Sequence, residues 1–297
     1  MFKNVIVGVN DGEGGRDAIA LARTLLAPGG ELTFAHVFVE NEVGSRVWRD
    51  PGVEARREDA HKLLEHAASE AGLQPHIRWR GAASVGRGLH EIAELVEADL
   101  LVVGSSQRGL LGRIRLADDT RSALNGAPCA IAVAPTGYST ESPLMREIGV
   151  AYNGSRESKQ AVAVGRALAD ETGAKLSGFQ AVAISSYEFQ GRIPVKPNLI
   201  EEAVEKARAQ IAALGGIEAH AVYGDPGEEL TLYSASLDLL ILGSRSYGPL
   251  GRLVNGSMSQ KLARTARCPL LVLTRTAREK LEFEESDDHR QAASSAA

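Results

Sequence analysis

The chain has 297 residues, 44% of them hydrophobic and 24% charged, a balance that supports packed cores and excludes wholesale disorder. At this length two domains of similar size are the default. A formal net charge of -5 and a pI near 5.9 leave no broad cationic surface, which argues against nucleic acid as a partner.

From the N-terminus, the opening run MFKNVIVGVNDG turns polar at Asn10 and Asp11, too soon for a signal-peptide core, and no later stretch reaches membrane-spanning length. No membrane partner is expected. Only Cys129 and Cys268 are present, far apart and without C-x-x-C or metal-ligand spacing, so neither a disulfide framework nor a zinc site is indicated. The expected location is the reducing cytoplasm.

Short runs rich in Val, Ile and Leu alternate with longer segments of helical period, the rhythm of a parallel sheet covered on both faces by crossover helices. In the first half strands are expected near Val5 to Val9, Leu32 to Phe38, Ile77 to Arg80, Leu100 to Val103 and Ala130 to Val133. A linker follows at Pro135 to Pro143, where PTGYSTESP lacks any apolar period. In the second half strands are expected near Ile148 to Tyr152, Leu176 to Val182, Ala219 to Tyr223, Leu239 to Leu242 and Leu270 to Leu273. This divides the chain into domains at 1–140 and 144–276, and an acidic, small-residue tail at 277–297 that cannot bury enough apolar surface to order itself.

The halves repeat one another. DLLVVGSSQRGLLGR from Asp99 faces DLLILGSRSYGPLGR from Asp238, pairing Gly104 with Gly243, Gly109 with Gly248, Gly112 with Gly251 and Cys129 with Cys268. The starts correspond too, with Asn10 over Asn153. In such sheets ligands collect outside the carboxyl ends of the strands where the strand order reverses, normally between the first and fourth strands. Both repeats place glycines there. After Leu242 comes GSRSYGPLGRLVNGSMS, in which Gly243 and Gly256 flank a loop leading into a helix and Ser257 and Ser259 add hydroxyl donors. Glycine lets backbone N–H groups approach an anion, and the helix start favours negative charge. The plainer reading is a tight turn at Gly243 and a helix cap at Ser257.

These residues resemble the universal stress protein family, whose nucleotide-binding members carry G-x2-G-x9-G-S/T after the fourth strand. Gly243, Gly256 and Ser257 match this spacing, while Ser246 stands at the middle glycine. The resemblance covers nearly the whole chain. It implies two tandem Rossmann-like α/β domains of the adenine nucleotide alpha hydrolase-like kind, each a five-stranded parallel sheet with strand order 3-2-1-4-5. It also implies ATP or a related adenine nucleotide as ligand, with Mg2+ as its companion ion, and Ala151, Ala181 and Leu242 lining the adenine and ribose side through backbone contacts. Where the family places an acidic residue at the end of strand one this chain has Asn153, which hydrogen-bonds without charge and weakens the case for the metal.

The first repeat departs further, with Gln107 at the middle glycine and Ala117 and Asp118 where glycine and serine are expected. Asp118 would repel a phosphate, so a single occupied site is expected, in the second half. By the same resemblance the halves associate as an internal pseudo-dimer through their last strands; association of two whole chains stays open at this point.

Other signals are weaker. No G-x-x-x-x-G-K-S/T or G-x-G-x-x-G run follows a strand, and EGGRDA from Glu13 lacks the serines of the SGGxDS loop of adenylating enzymes. His61 and His66 are five apart and do not share a helix face, so no metal site is assigned to them with Glu65. Trp48 is read as a packing or lid residue and the two cysteines as packing residues. No Ser-His-Asp set, G-x-S-x-G elbow or carboxylate pair is recognisable, so no catalytic residue is assigned. A regulatory stress-response switch is therefore the leading expectation, with a nucleotide-free scaffold and a slow ATP hydrolase as alternatives.

Overall fold

The computed structural model describes residues 1–40, 52–105, 123, 126–141, 144–183, 198–243 and 258–274. The expected tail and Trp48 lie outside these residues.

The first half runs β1 (Phe2–Gly8), α1 (Glu13–Leu25), β2 (Leu26–Val39), α2 (Gly52–Ala71), β3 (His76–Ala82), α3 (Val85–Leu95), β4 (Leu100–Gly104) and β5 (Ala130–Ala134). A single helical turn, α4 (Tyr138–Glu141), leads into the second half. There β6 (Glu147–Ala151), α5 (Arg156–Thr172), β7 (Lys175–Val182), α6 (Leu199–Ala212), β8 (Glu218–Tyr223), α7 (Pro226–Tyr233), β9 (Leu239–Gly243), α8 (Met258–Thr265) and β10 (Leu270–Leu273) follow.

The strands among the described residues join one ten-stranded sheet in the order β3-β2-β1-β4-β5-β10-β9-β6-β7-β8. Counted from either outer edge inwards, each half reads 3-2-1-4-5 in its own numbering. Every pairing within a half is parallel, and the two halves meet at an antiparallel pair, Val133 opposite Leu270, Ala132 opposite Leu271 and Ile131 opposite Val272. The Thr274 hydroxyl crosses this seam to the Cys129 carbonyl at 2.9 Å.

Strands buried on both faces are apolar at every position, and their side chains divide by parity. Val5, Val7, Leu100, Val102, Ala132, Leu271, Ile241 and Val150 belong to one core, shared with α1, α2, α5 and α6. Ile6, Leu101, Val103, Ile131, Val133, Leu240, Leu242 and Val272 belong to the other, shared with α3, α7 and α8. Both cores run through the seam without interruption, so the two halves share their interiors.

Two repeated aspartates set the strand register at the points where the order reverses. Asp99 accepts the backbone N–H groups of Lys3 at 2.7 Å and Asn4 at 3.1 Å, tying the start of β1 to the start of β4. Asp238 does the same for Arg146 at 2.8 Å and Glu147 at 2.9 Å, tying β6 to β9. A carboxylate accepting two backbone N–H groups makes charge-assisted bonds, roughly twice as strong as neutral ones.

The structure departs from the sequence reading in two places. β2 begins at Leu26, because the turn-like segment Ala27-Pro28-Gly29-Gly30 still runs beside β1 through a register shift between Phe2 and Asn4. The linker holds α4, whose Tyr138 is buried, where a structureless join was expected. The cause is Asp17 on α1, fully buried, whose carboxylate accepts Gly137 N–H at 2.9 Å, Ser139 N–H at 2.8 Å and the Ser139 hydroxyl at 2.7 Å. The first turn of α4 is thus capped by a residue from a distant helix.

Asp17→Ala should cost about 2–3 kcal/mol of unfolding free energy in urea titrations, since it strands the N–H groups that the carboxylate satisfies. Leu271→Ala in the second half should cost about 2–5 kcal/mol. Both tryptophans lie in the first half, so their fluorescence should shift to lower urea together with the circular dichroism signal; an unmoved fluorescence midpoint would show that the halves unfold independently.

Candidate functional site

Three adjacent strands of the second half, β7, β6 and β9, end together where the strand order reverses. Ala151 closes β6 beside Phe179 of β7, and Val150 lies opposite Ile241 of β9. Ala181, two residues beyond Phe179, and Leu242 and Gly243, just beyond Ile241, therefore stand at the same carboxyl edge as Ala151. Leu242 is buried, while Ala151, Ala181 and Gly243 are half-buried. The edge offers backbone and methyl groups more than long side chains.

Asn153 follows β6 and is exposed. Its side-chain oxygen accepts the Ser155 N–H at 3.1 Å, and its own N–H donates to the Ser158 hydroxyl at 3.4 Å. Ser155 then caps α5 by accepting the Ser158 N–H at 3.3 Å. Asn10 has the same role in the first half, its side-chain oxygen taking the N–H groups of Gly12 at 3.2 Å and Gly15 at 3.1 Å. The repeated asparagine is thus the hinge pin of each strand-to-helix turn.

Gly243 is needed for close approach. A Cβ there would stand 2.5 Å from the Glu157 carbonyl oxygen in the first turn of α5. Gly104 meets the Gly14 carbonyl of α1 in the same way, and a Cβ on Gly14 would stand 2.8 Å from the Ser105 carbonyl. Each fourth strand therefore ends against the N-terminal turn of its own half's first helix.

Ser259 lies half-buried in the first turn of α8. Ser246, Gly256 and Ser257, with Gln107, Ala117 and Asp118 of the first half, lie outside the described residues. The helix that follows this loop is fastened from below. Asp225 caps α7 through the N–H groups of Gly227 and Glu228, each at 3.0 Å, and also binds the Lys261 ammonium of α8 at 2.6 Å. Gly227 leaves room for the Lys261 stem, since a Cβ there would stand 2.7 Å from Cε. The Thr231 and Thr265 hydroxyls join the same two helices at 2.6 Å. The Lys261 hydrogen bond holds the Asp225 carboxyl below the usual aspartate range. Its contribution is therefore present above the unfolded-state pKa and fades only as pH falls through the lowered one.

Beneath Ala181 the Phe179 and Tyr233 rings stack at 4.4 Å with an interplanar angle of 20°. Gly149 makes the space, because a Cβ there would stand 2.8 Å from the Tyr233 ring. The half-buried Tyr233 hydroxyl hydrogen-bonds that of Ser177, and desolvation pushes the phenol up to about 12. Burial does the same to the Cys268 thiol, also to about 12, which leaves it protonated and poorly nucleophilic at neutral pH. Both cysteines are buried.

The sequence reading missed the Asp99 and Asp238 clamps, the Asp225–Lys261 clasp and the Tyr233 stack. The clamps had a signal: each aspartate heads the repeated block, a charge placed at the mouth of an apolar strand. Among the described residues no cluster of three His, Cys, Asp or Glu side chains could hold a metal, and no helix is long and apolar enough to cross a membrane. His61 bonds Glu65 across one helical turn, Nε2 to Oε1, at 3.2 Å.

Gly243→Ala should lower unfolding free energy by about 1–3 kcal/mol, because α5 must retreat from β9; an unchanged urea midpoint would show that this approach is slack.

The family model for universal stress proteins matches residues 1–135 and 145–274. A universal stress protein of Thermus aquaticus is 33% identical over 146 residues, 44% of this chain and 99% of its own length. One from Mycobacterium tuberculosis strain H37Rv is 25% identical over 246 residues, 76% of this chain and 81% of its own. Among solved structures, a universal stress protein from Archaeoglobus fulgidus superposes with a TM-score of 0.67 at 16% identity, covering 92% of this chain and 98% of that one. The agreement extends over both halves, and the chain belongs to the universal stress protein family.

Proposed function

We propose that the second half binds ATP or a related adenine nucleotide and that occupancy changes conformation or choice of partner in a cytoplasmic stress response. The observation that supports this most is the convergence of β6, β7 and β9 at a reversal of strand order, with Ala151, Ala181 and Leu242 at the edge. Two of these carry only methyl groups, so a flat base and its ribose can reach the backbone there.

In this reading Asn153 contributes its amide, and the run from Gly243 through Ser246, Gly256 and Ser257 to Ser259 receives the phosphates, with α8 supplying the N-terminal end of a helix held by Asp225 and Lys261. Mg2+ fits poorly as a ligand of the strand-one position, since Asn153 is neutral and its oxygen serves the Ser155 N–H. An accompanying ion would be held chiefly by the phosphates. The domain limits at 1–140 and 144–276 belong to the same proposal.

A second reading has specific support. Helix packing accounts for Gly104 and Gly243, turn geometry accounts for Asn10 and Asn153, and the seam gives both halves a shared interior. All of these serve a nucleotide-free scaffold equally well.

The purified protein, incubated with a small-molecule cell extract, washed and denatured, should release about one adenine nucleotide per chain on mass spectrometry, the occupancy of a single saturated site. Gly256→Asp should release none, and a substitution at Ala117 should change little. Equal losses in both variants would overturn the one-site assignment, and no nucleotide from the wild type would favour the scaffold.

A further inference from the structure

The first half contains a cleft that the nucleotide reading leaves unused. It holds about 620 Å³, within the range of small-ligand sites, and lies between α2 and the carboxyl ends of β2 and β3. Phe38, Glu40, Arg57, His61, Trp79 and Gly81 are among its walls.

Its aromatic lining is open to a ligand. Trp79 is 39% exposed although it sits in a strand, and its ring tilts against His61 at 5.1 Å. Phe38 carries the Arg56 guanidinium over its ring, 5.9 Å from the centroid. One aromatic face of this wall thus already holds a cation, while the Trp79 ring carries none among the described residues.

The charges point the same way. Three carboxylates, Glu40, Glu54 and Glu58, line the cleft against two guanidinium groups, Arg57 and Arg80. Arg57 pairs with Glu54 at 3.6 Å, Glu58 with Lys62 at 2.6 Å, and Arg80 with Glu91 on α3. Glu40 has no ion pair among the described residues. Its backbone N–H is fixed on the Ala82 carbonyl at 2.9 Å, and its carboxylate lies across Gly81, where a Cβ would collide with it. Gly81 is therefore a notch that lets a carboxylate lie beside the strand that carries Trp79.

This lining is particular to the first half. Thr33 pairs with His76 and Ser177 with Glu218 at equivalent points of the two ladders, which puts Ala221 in the place of Trp79 and Tyr223 in the place of Gly81. At these two points of its ladder the second half has neither the ring nor the notch.

We propose that this cleft binds a small organic cation of the alkylguanidinium or alkylammonium class, stacked on Trp79 and paired with Glu40. Cation–π attraction and a carboxylate without an ion pair among the described residues reinforce one another for such a ligand. An anion would meet Glu40 as a like charge, and a neutral ring would strip water from Glu40 without replacing its partners.

The test uses the full chain with Trp48→Phe, which leaves Trp79 as the sole tryptophan. Agmatine is the probe, with neutral butylurea and sodium chloride of matching ionic strength as controls. Agmatine should quench Trp79 fluorescence saturably and shift amide resonances around 38–40, 54–61 and 79–81, while both controls leave them in place. Glu40→Gln, which keeps shape and removes charge, should weaken binding about tenfold with an unchanged melting temperature. Gly81→Ala, which displaces the carboxylate, should weaken it comparably. Absence of saturation by about 10 mM, an affinity weaker than the organic-cation contacts would give, would overturn the proposal. Equal affinity in Glu40→Gln, or resonance shifts confined to the second half, would overturn it as well.

Discussion

Everything in this molecule depends on the antiparallel pairing of β5 with β10. Either strand alone would be a short, wholly apolar edge, Ala130–Ala134 or Leu270–Leu273, with unpaired backbone groups along it. Joined, they bring alternate residues of both halves into two common interiors. The small side chains of Ala130, Ala132 and Ala134 face one core while Ile131 and Val133 fill the other. The seam is consequently as well buried as the middle of either half, and the buried capping of α4 by Asp17 holds the linker that crosses from one to the other.

The reversal points obey a second constraint. Each lies between two strands that carry no direct loop to one another, so their register has to be set by something other than a turn. Asp99 and Asp238 set it at the amino ends, and the contact of Gly104 or Gly243 with the first helix sets it at the carboxyl ends. A ligand crevice in this fold is therefore framed by contacts that serve packing first. That explains why the glycines persist in both halves although the loop that follows has diverged to Gln107, Ala117 and Asp118 in one of them.

Much of this was legible in the chain. Doubly buried strands announce themselves as unbroken apolar runs, and the matched blocks from Asp99 and Asp238 exposed the repeat. What was not legible depended on partners distant in sequence. PTGYSTESP looks like plain linker because the carboxylate that organises it sits on α1. The strand expectation starts only at Leu32 because nothing local in LAPGGE reveals the strand running beside it. At the candidate site, Gly243 follows from the end of the fourth strand and Ala151, Ala181 and Leu242 follow from the family resemblance, whereas the engagement of Asn153 in its own turn was not legible. The cleft beside Trp79 was hidden for the same reason: its chemistry comes from Glu40 lying over Gly81, two residues brought together only by the β2–β3 ladder.

The tandem arrangement has an evolutionary corollary. When a two-fold assembly is made from identical chains, every substitution strikes both copies at once, and a change that suits one site is imposed on the other. Here the equivalent surfaces are held together covalently, so their association does not depend on protein concentration and each can change alone. Trp79 against Ala221, and Gly81 against Tyr223, are differences that a symmetric dimer could not have kept. One polypeptide thus carries two unlike surfaces on a common sheet.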